Sequence, residues 1–139
     1  MGSKMTKYAT HWFRKAEEDL LVIRVLLPKK GTANAVCFHA QQAAEKYLKG
    51  FLAFHGKNVR KIHELDALLL LCAEVNASFN ELKKDAIFLN HFYTEARYPG
   101  DIPDFSSSQA QDAAVSADRV KAFVRVVVKS QNPAEPGFG

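Results

Sequence analysis

The chain has little cysteine, proline or tryptophan, with two Cys, five Pro and one Trp in 139 residues. Two thiols exclude a disulfide-dense scaffold. Neither Cys37 nor Cys72 stands in a Cys-x-x-Cys or Cys/His ligand spacing, so both are expected as reduced thiols within the core. No apolar run is long: the longest, Ala67 to Ala73, falls far short of the roughly 20 residues that span a bilayer. The start lacks the apolar segment of a signal peptide, which makes a cytoplasmic location the expectation. A Gly-x-Ser-x-Gly elbow and a Gly-rich phosphate loop are absent, so the catalytic motifs that transfer between folds are missing. The five histidines include no pair three or four residues apart, which argues against a helical zinc site; no metal and no cofactor are expected. Charge of one sign is not in large excess either. A formal net charge of +4 permits an anionic partner without requiring one.

What is present is apolar and helical. The sequence is 47% hydrophobic, and a chain of this length can bury well over half of its unfolded surface in one domain. Apolar residues recur at three- and four-residue steps, with no competing alternation, so five helices and no strands are expected. The first runs from Thr10 to Leu27 on the stripe Trp12, Ala16, Leu20, Ile23 and Leu27, and Pro28 ends it. The second runs from Ala35 to His55 with Cys37, Ala40, Ala44, Leu48 and Phe51 inward and Gly56 as its stop. The third takes His63 to Val75 on Leu65, Leu68, Leu69 and Cys72, and Asn76 breaks it. Ser78 with Glu81 reads as a capping box opening a fourth helix, with Leu82, Ala86, Leu89, Tyr93 and Ala96 on one face and Pro99 at its end. Ser106 with Gln109 repeats that signal and opens the fifth, on Ala110, Ala113, Ala117, Val120, Val124 and Val127.

Short connections then predict an all-α, antiparallel up-and-down helix bundle of four to five helices. Residues 10–129 form the bundle, 1–9 an N-terminal extension and 130–139 a flexible tail; Met5 reads as the natural start, with an added leader before it.

On the second helix a further stripe lies beside the core: Phe38, Gln42, Glu45 and Lys49. Its ordinary reading is a solvated face, and its functional reading a surface for a ligand or partner. Arg97, in the segment Glu95-Ala96-Arg97-Tyr98-Pro99-Gly100-Asp101, falls at the edge of the fourth helix's apolar stripe. Its structural reading is a pair with Asp19 or Glu45, or a cap on its own helix; its functional reading is a phosphate contact. His63, before the third helix, either caps that helix or faces a ligand.

Four segments together resemble the HEPN domain. They are WFRKAEEDL at Trp12 to Leu20, CFHAQQAAEKYLKG at Cys37 to Gly50, His63-x-Leu65, and Arg97-Tyr98-Pro99. The resemblance implies a helical bundle like the substrate-binding subunits of nucleotidyltransferases. It implies a homodimer, and a gene beside a minimal nucleotidyltransferase in a prokaryotic two-gene module, in some cases toxin and antitoxin. Ribonuclease members carry an Arg, a spacer of four to six residues and a His. Here the corresponding positions after Arg97 are Ile102, Pro103 and Asp104, and no other Arg has a His at that spacing, so ribonuclease activity is not expected. Asp101 or Asp104 would be a poorer neutral-pH base than a histidine.

The leading expectation is a non-catalytic module that binds a nucleotide, or the partner nucleotidyltransferase, through Gln42, Glu45, Lys46, Lys49, His63, Arg97 and Tyr98. Lys46, Lys49 and Arg97 meet phosphate or acidic groups, Gln42 and His63 orient the ligand, and Tyr98 or Phe38 stacks. Nucleotide or RNA is the expected ligand class; DNA and membrane are not expected. Two alternatives stand beside it: a divergent ribonuclease toxin using Arg97 with Asp101 or His63, and a structural homodimerisation protein.

Overall fold

A computed structural model describes residues 3–93, 100 and 103–131. Five α-helices carry the fold: α1 (Ser3–Leu26), α2 (Ala33–Phe54), α3 (Leu65–Val75), α4 (Lys83–Asn90) and α5 (Ser107–Gln131), with a 3-10 helix over Ala77–Leu82. Among the described residues there is no strand. The expected all-α bundle is therefore what forms.

α2 is the axis. It packs most extensively on α1, next on α5, and also on α3 and α4. Because neighbours surround it, most of its residues are buried, including the expected Cys37, Ala40, Ala44, Leu48 and Phe51. A helix enclosed on all sides cannot keep a purely polar face in water, so its polar residues must find partners inside the bundle. α1 and α2 run antiparallel, as their cross-links show: Phe13 lies against Gly50, the Tyr47 hydroxyl donates to Glu17, and Lys46 Nζ is 2.7 Å from Asp19 Oδ2. α5, by contrast, runs in the same direction as α2. Asn34 at the start of α2 exchanges hydrogen bonds with the Phe105 N–H (2.8 Å) and the Pro103 carbonyl (3.0 Å), while His55 at its end meets Gln131 at 2.9 Å.

The buried stripe of α1 differs from the expected one. Phe13, not Trp12, enters the core, together with Ala9, Ala16, Leu20 and Ile23. α1 also begins at Ser3 rather than Thr10, which gives Ala9 a helical position in that stripe. The reason is the missing side chain at Gly50. A Cβ there would stand 2.3 Å from Phe13 Cε1, so the ring occupies the space that glycine leaves. Trp12, one position round the helix, is left half-buried at the edge.

Helix ends follow side-chain chemistry. Thr32 Oγ1 donates to the carbonyls of Leu26 and Lys29, both at 2.8 Å, closing the turn between α1 and α2. α2 stops as expected at Gly56, whose φ of 77° is the left-handed conformation that favours glycine. The Lys57 N–H donates to Leu52 and the Gly56 N–H to Ala53, both at 2.9 Å, in a Schellman arrangement. The capping box that opens α5 forms as expected: the Ser106 N–H donates to Gln109 Oε1 at 2.9 Å, and the Gln109 N–H to Ser106 Oγ at 3.0 Å. The one expected at Ser78 and Glu81 does not. There Asn76 Oδ1 accepts from the Ser78 N–H at 3.0 Å, and its side chain starts a 3-10 turn instead. α3 starts at Leu65 rather than His63, and α4 ends at Asn90, short of the expected Pro99. The two changes are linked, because Asn90 Oδ1 accepts the Leu65 N–H at 3.0 Å and so caps α3 from the end of α4. Leu82, Ala86 and Leu89 are buried as expected, whereas Tyr93 is half-exposed and Ala96 lies outside the described residues.

Candidate functional site

The polar stripe of α2 splits between two neighbours. Lys46 turns toward α1, where Asp19 accepts from Lys46 Nζ at 2.7 Å and from His39 Nδ1 at 2.8 Å. Glu45 and Lys49 turn toward the segment between α2 and α3. One helical turn separates them, and Lys49 Nζ lies 3.0 Å from Glu45 Oε2. Their burial is unusual for charged side chains: Glu45 is 4% exposed and Lys49 1%. Each is saturated by other groups as well. Lys49 Nζ donates to the Arg60 carbonyl at 3.0 Å and stands 5.2 Å from the Trp12 ring centroid, while Glu45 Oε2 accepts from His63 Nδ1 at 3.2 Å. Buried charges persist where such a shell is complete. Among the described residues no buried side-chain nitrogen or oxygen lacks a hydrogen-bond partner.

Gln41, adjacent to the expected Gln42, is the member that sequence reasoning missed. It is fully buried, with Nε2 3.4 Å from both Glu45 Oε1 and the His63 carbonyl, and its Oε1 accepts from Gln42 Nε2 at 2.7 Å. The available signal was two consecutive glutamines in a helix that is otherwise apolar toward three sides. One of them had to face inward.

His63 is where this buried network reaches solvent. Its side chain is 38% exposed, and its ring stacks on Tyr93 with centroids 5.8 Å apart and planes inclined by 15°. Nδ1 of the imidazole is held 3.2 Å from the Glu45 carboxylate, which leaves Nε2 as the ring nitrogen that Glu45 does not engage. The arrangement is an oriented imidazole with an aromatic plate beside it, backed by a paired carboxylate. It suits hydrogen-bonded recognition of a planar polar ligand.

Of the expected site residues, the structure thus brings Gln42, Glu45, Lys49 and His63 into one cluster and sends Lys46 to another. Lys49, expected to meet phosphate, has its ammonium enclosed by Glu45, the Arg60 carbonyl and Trp12. Arg97 and Tyr98 lie outside the described residues, as does Asp101. Asp19 and Glu45, considered as partners of Arg97, already hold cations from α2.

The cysteines are core residues. Both are free and fully buried, and burial raises Cys37 to about 11 and Cys72 further still, so each stays a neutral thiol. Among the described residues no group of three or more His, Cys, Asp and Glu is placed to hold a metal ion. No helix among them is long and apolar enough to cross a membrane.

Known structures share this architecture. The chain superposes on the crystal structure of ST0689, an archaeal HEPN homologue, with a TM-score of 0.69 at 28% identity, covering 87% of this chain and 98% of that one. The crystal structure of TT1696 from Thermus thermophilus gives a TM-score of 0.69 at 29% identity, over 84% of this chain and 95% of that one. No protein of curated function matches. The sequence model of the HEPN domain matches residues 9–129, which takes in α2, α3 and α4 whole and most of α1 and α5, and the chain belongs to the HEPN domain family.

Proposed function

We propose that this HEPN domain is a non-catalytic binding module that takes a nucleotide, or a partner nucleotidyltransferase, at the rim formed by His63 and Tyr93, as one half of a two-gene, toxin–antitoxin-like pair. The observation that carries the reading is the oriented, half-exposed imidazole of His63, fixed from behind by the buried Glu45 and flanked by an aromatic ring. A base or a partner side chain laid on Tyr93 would meet Nε2 of His63 and the amide of Gln42. The sequence supports the non-catalytic part, since no Arg is followed by a His at the spacing of the ribonuclease members. Homodimerisation belongs to the same reading: Leu21 and Val25, one turn apart on α1, are each more than half exposed, as are Val115 and Val126 on α5.

Calorimetry with a panel of nucleotides, and with the product of a neighbouring nucleotidyltransferase gene, tests the reading. The binding event at this rim is expected to drop out of the calorimetric stoichiometry in His63→Ala and Tyr93→Ala with the fold intact. Unchanged stoichiometry and affinity for both ligand types in both variants would remove the site.

One observation favours a second reading, a divergent ribonuclease. An imidazole steered by a carboxylate is also the geometry of a general base. That reading expects metal-independent RNA cleavage that disappears in His63→Ala.

A further inference from the structure

On the far side of Lys49 from Glu45, a concavity of different chemistry opens. The Schellman turn at the end of α2 and the loop to Arg60 face the start of α1 across a groove of about 400 Å3. Two aromatic side chains line it, Tyr8 and Trp12, with Ala53 and Val59 as apolar walls and Lys57 and Arg60 as cations. That volume lies in the range of small-molecule sites. No carboxylate takes part in the lining. Lys57 and Arg60 are exposed, and among the described residues neither enters an ion pair.

The groove is held in shape from beneath. The Lys49 ammonium stands against the Trp12 ring and donates to the Arg60 carbonyl, so one buried side chain fixes both the aromatic wall and the cationic loop. A preformed site of this kind loses little ordering entropy on binding. The C-terminal end of the α2 dipole opposes an anion here, but it amounts to roughly half a charge and fades within a turn. Two full cations outweigh it.

We propose that this groove binds a small ligand built from a planar ring and an anionic group, an aryl or nucleoside monophosphate, with the ring against Trp12 and Tyr8 and the anion at Lys57 and Arg60. None of the groove's lining residues belongs to the His63–Tyr93 rim, so this site stands or falls independently of the function proposed above.

Trp12 is the only tryptophan in the chain, so its fluorescence reports on this groove alone. The protein is titrated with adenosine monophosphate, phenyl phosphate, adenosine and inorganic phosphate, exciting at the red edge of the indole band. A saturable change with one or both phosphate esters is expected, with adenosine and inorganic phosphate each at least about tenfold weaker. Which ester saturates assigns the ring as a nucleoside or a simple aryl. The double variant Lys57→Glu, Arg60→Glu, altered only at exposed positions, is expected to weaken the response at least about tenfold, and His63→Ala to leave it unchanged. The proposal is overturned if neither ester gives a saturable change, if inorganic phosphate acts as strongly as the esters, if the double variant responds like the parent, or if His63→Ala abolishes the response.

Discussion

Replacing Lys49 separates a structural ammonium from a ligand-binding one. The side chain is 1% exposed and joins Glu45, the Arg60 carbonyl and the Trp12 ring. In Lys49→Ala, Glu45 loses its lysine while remaining 4% exposed in the parent geometry, with only His63 and Gln41 to satisfy it. Removing one member of a buried ion pair costs about 3–5 kcal/mol, and the surviving His63 contact places this site near the lower end. Against a total stability of roughly 5–15 kcal/mol, that is a large fraction. With a urea m-value of about 2 kcal/mol/M, the unfolding midpoint is expected to fall by about 1.5 M at constant m. The double variant Lys49→Met, Glu45→Gln removes both charges while keeping their volume, and is expected to recover most of the loss. Urea unfolding followed by circular dichroism measures all three. A Lys49→Ala midpoint within roughly 0.3 M of the parent would refute the argument, and an accompanying loss of nucleotide binding would return Lys49 to the ligand surface.

Gly50→Ala places a methyl group 2.3 Å from the Phe13 ring, and overpacking of this kind is expected to cost about 1–3 kcal/mol in the same assay; Phe13→Leu in that background should restore part of it. The Cys37 thiol, raised from 9.0 to about 11, contributes to the alkaline dependence of stability: the unfolded thiol ionises first, so its contribution is full below pH 9, falls as pH rises toward 11 and then levels, while Cys72, raised further, goes on lowering stability above that pH. Cys37→Ala is expected to make that part of the urea-midpoint profile shallower, with the slope due to Cys72 remaining, and the parent thiols should resist an aromatic disulfide reagent until the protein is unfolded. Asn76→Ala and Ser106→Ala should each cost about 1 kcal/mol because each side chain caps backbone N–H groups, whereas Glu81→Ala should be nearly silent. A larger effect at Glu81 than at Asn76 in thermal melts would contradict the observed start of the 3-10 turn.

Much of the architecture was legible in periodicity and punctuation. The inward residues of α2, α3 and α5, the stop at Gly56 and the box at Ser106 and Gln109 are local features, written in spacings of three and four and in residues with one conformational use. Local pattern fails where a decision depends on a distant neighbour. Phe13 displaces Trp12 from the core because Gly50, thirty-seven positions away, has no side chain. Asn90 ends α4 and caps α3, a contact that no window around either residue contains. The direction of α5, parallel to α2, is likewise fixed by contacts of Asn34 and His55 with residues some seventy positions on.

The candidate site divides in the same way. Sequence alone determined that α2 carries amides, a carboxylate and lysines one turn apart, and that an imidazole follows it. Only the tertiary structure decided their fates, since α2 is enclosed by four other helices. Enclosure makes an unpaired charge intolerable, so Lys46 goes to Asp19, Lys49 to Glu45 and the Arg60 carbonyl, and the imidazole of His63 is left at the surface as the end of the chain of partners. The same enclosure presses Trp12 outward onto the Lys49 ammonium and so builds the groove beside Arg60, which no periodicity announces.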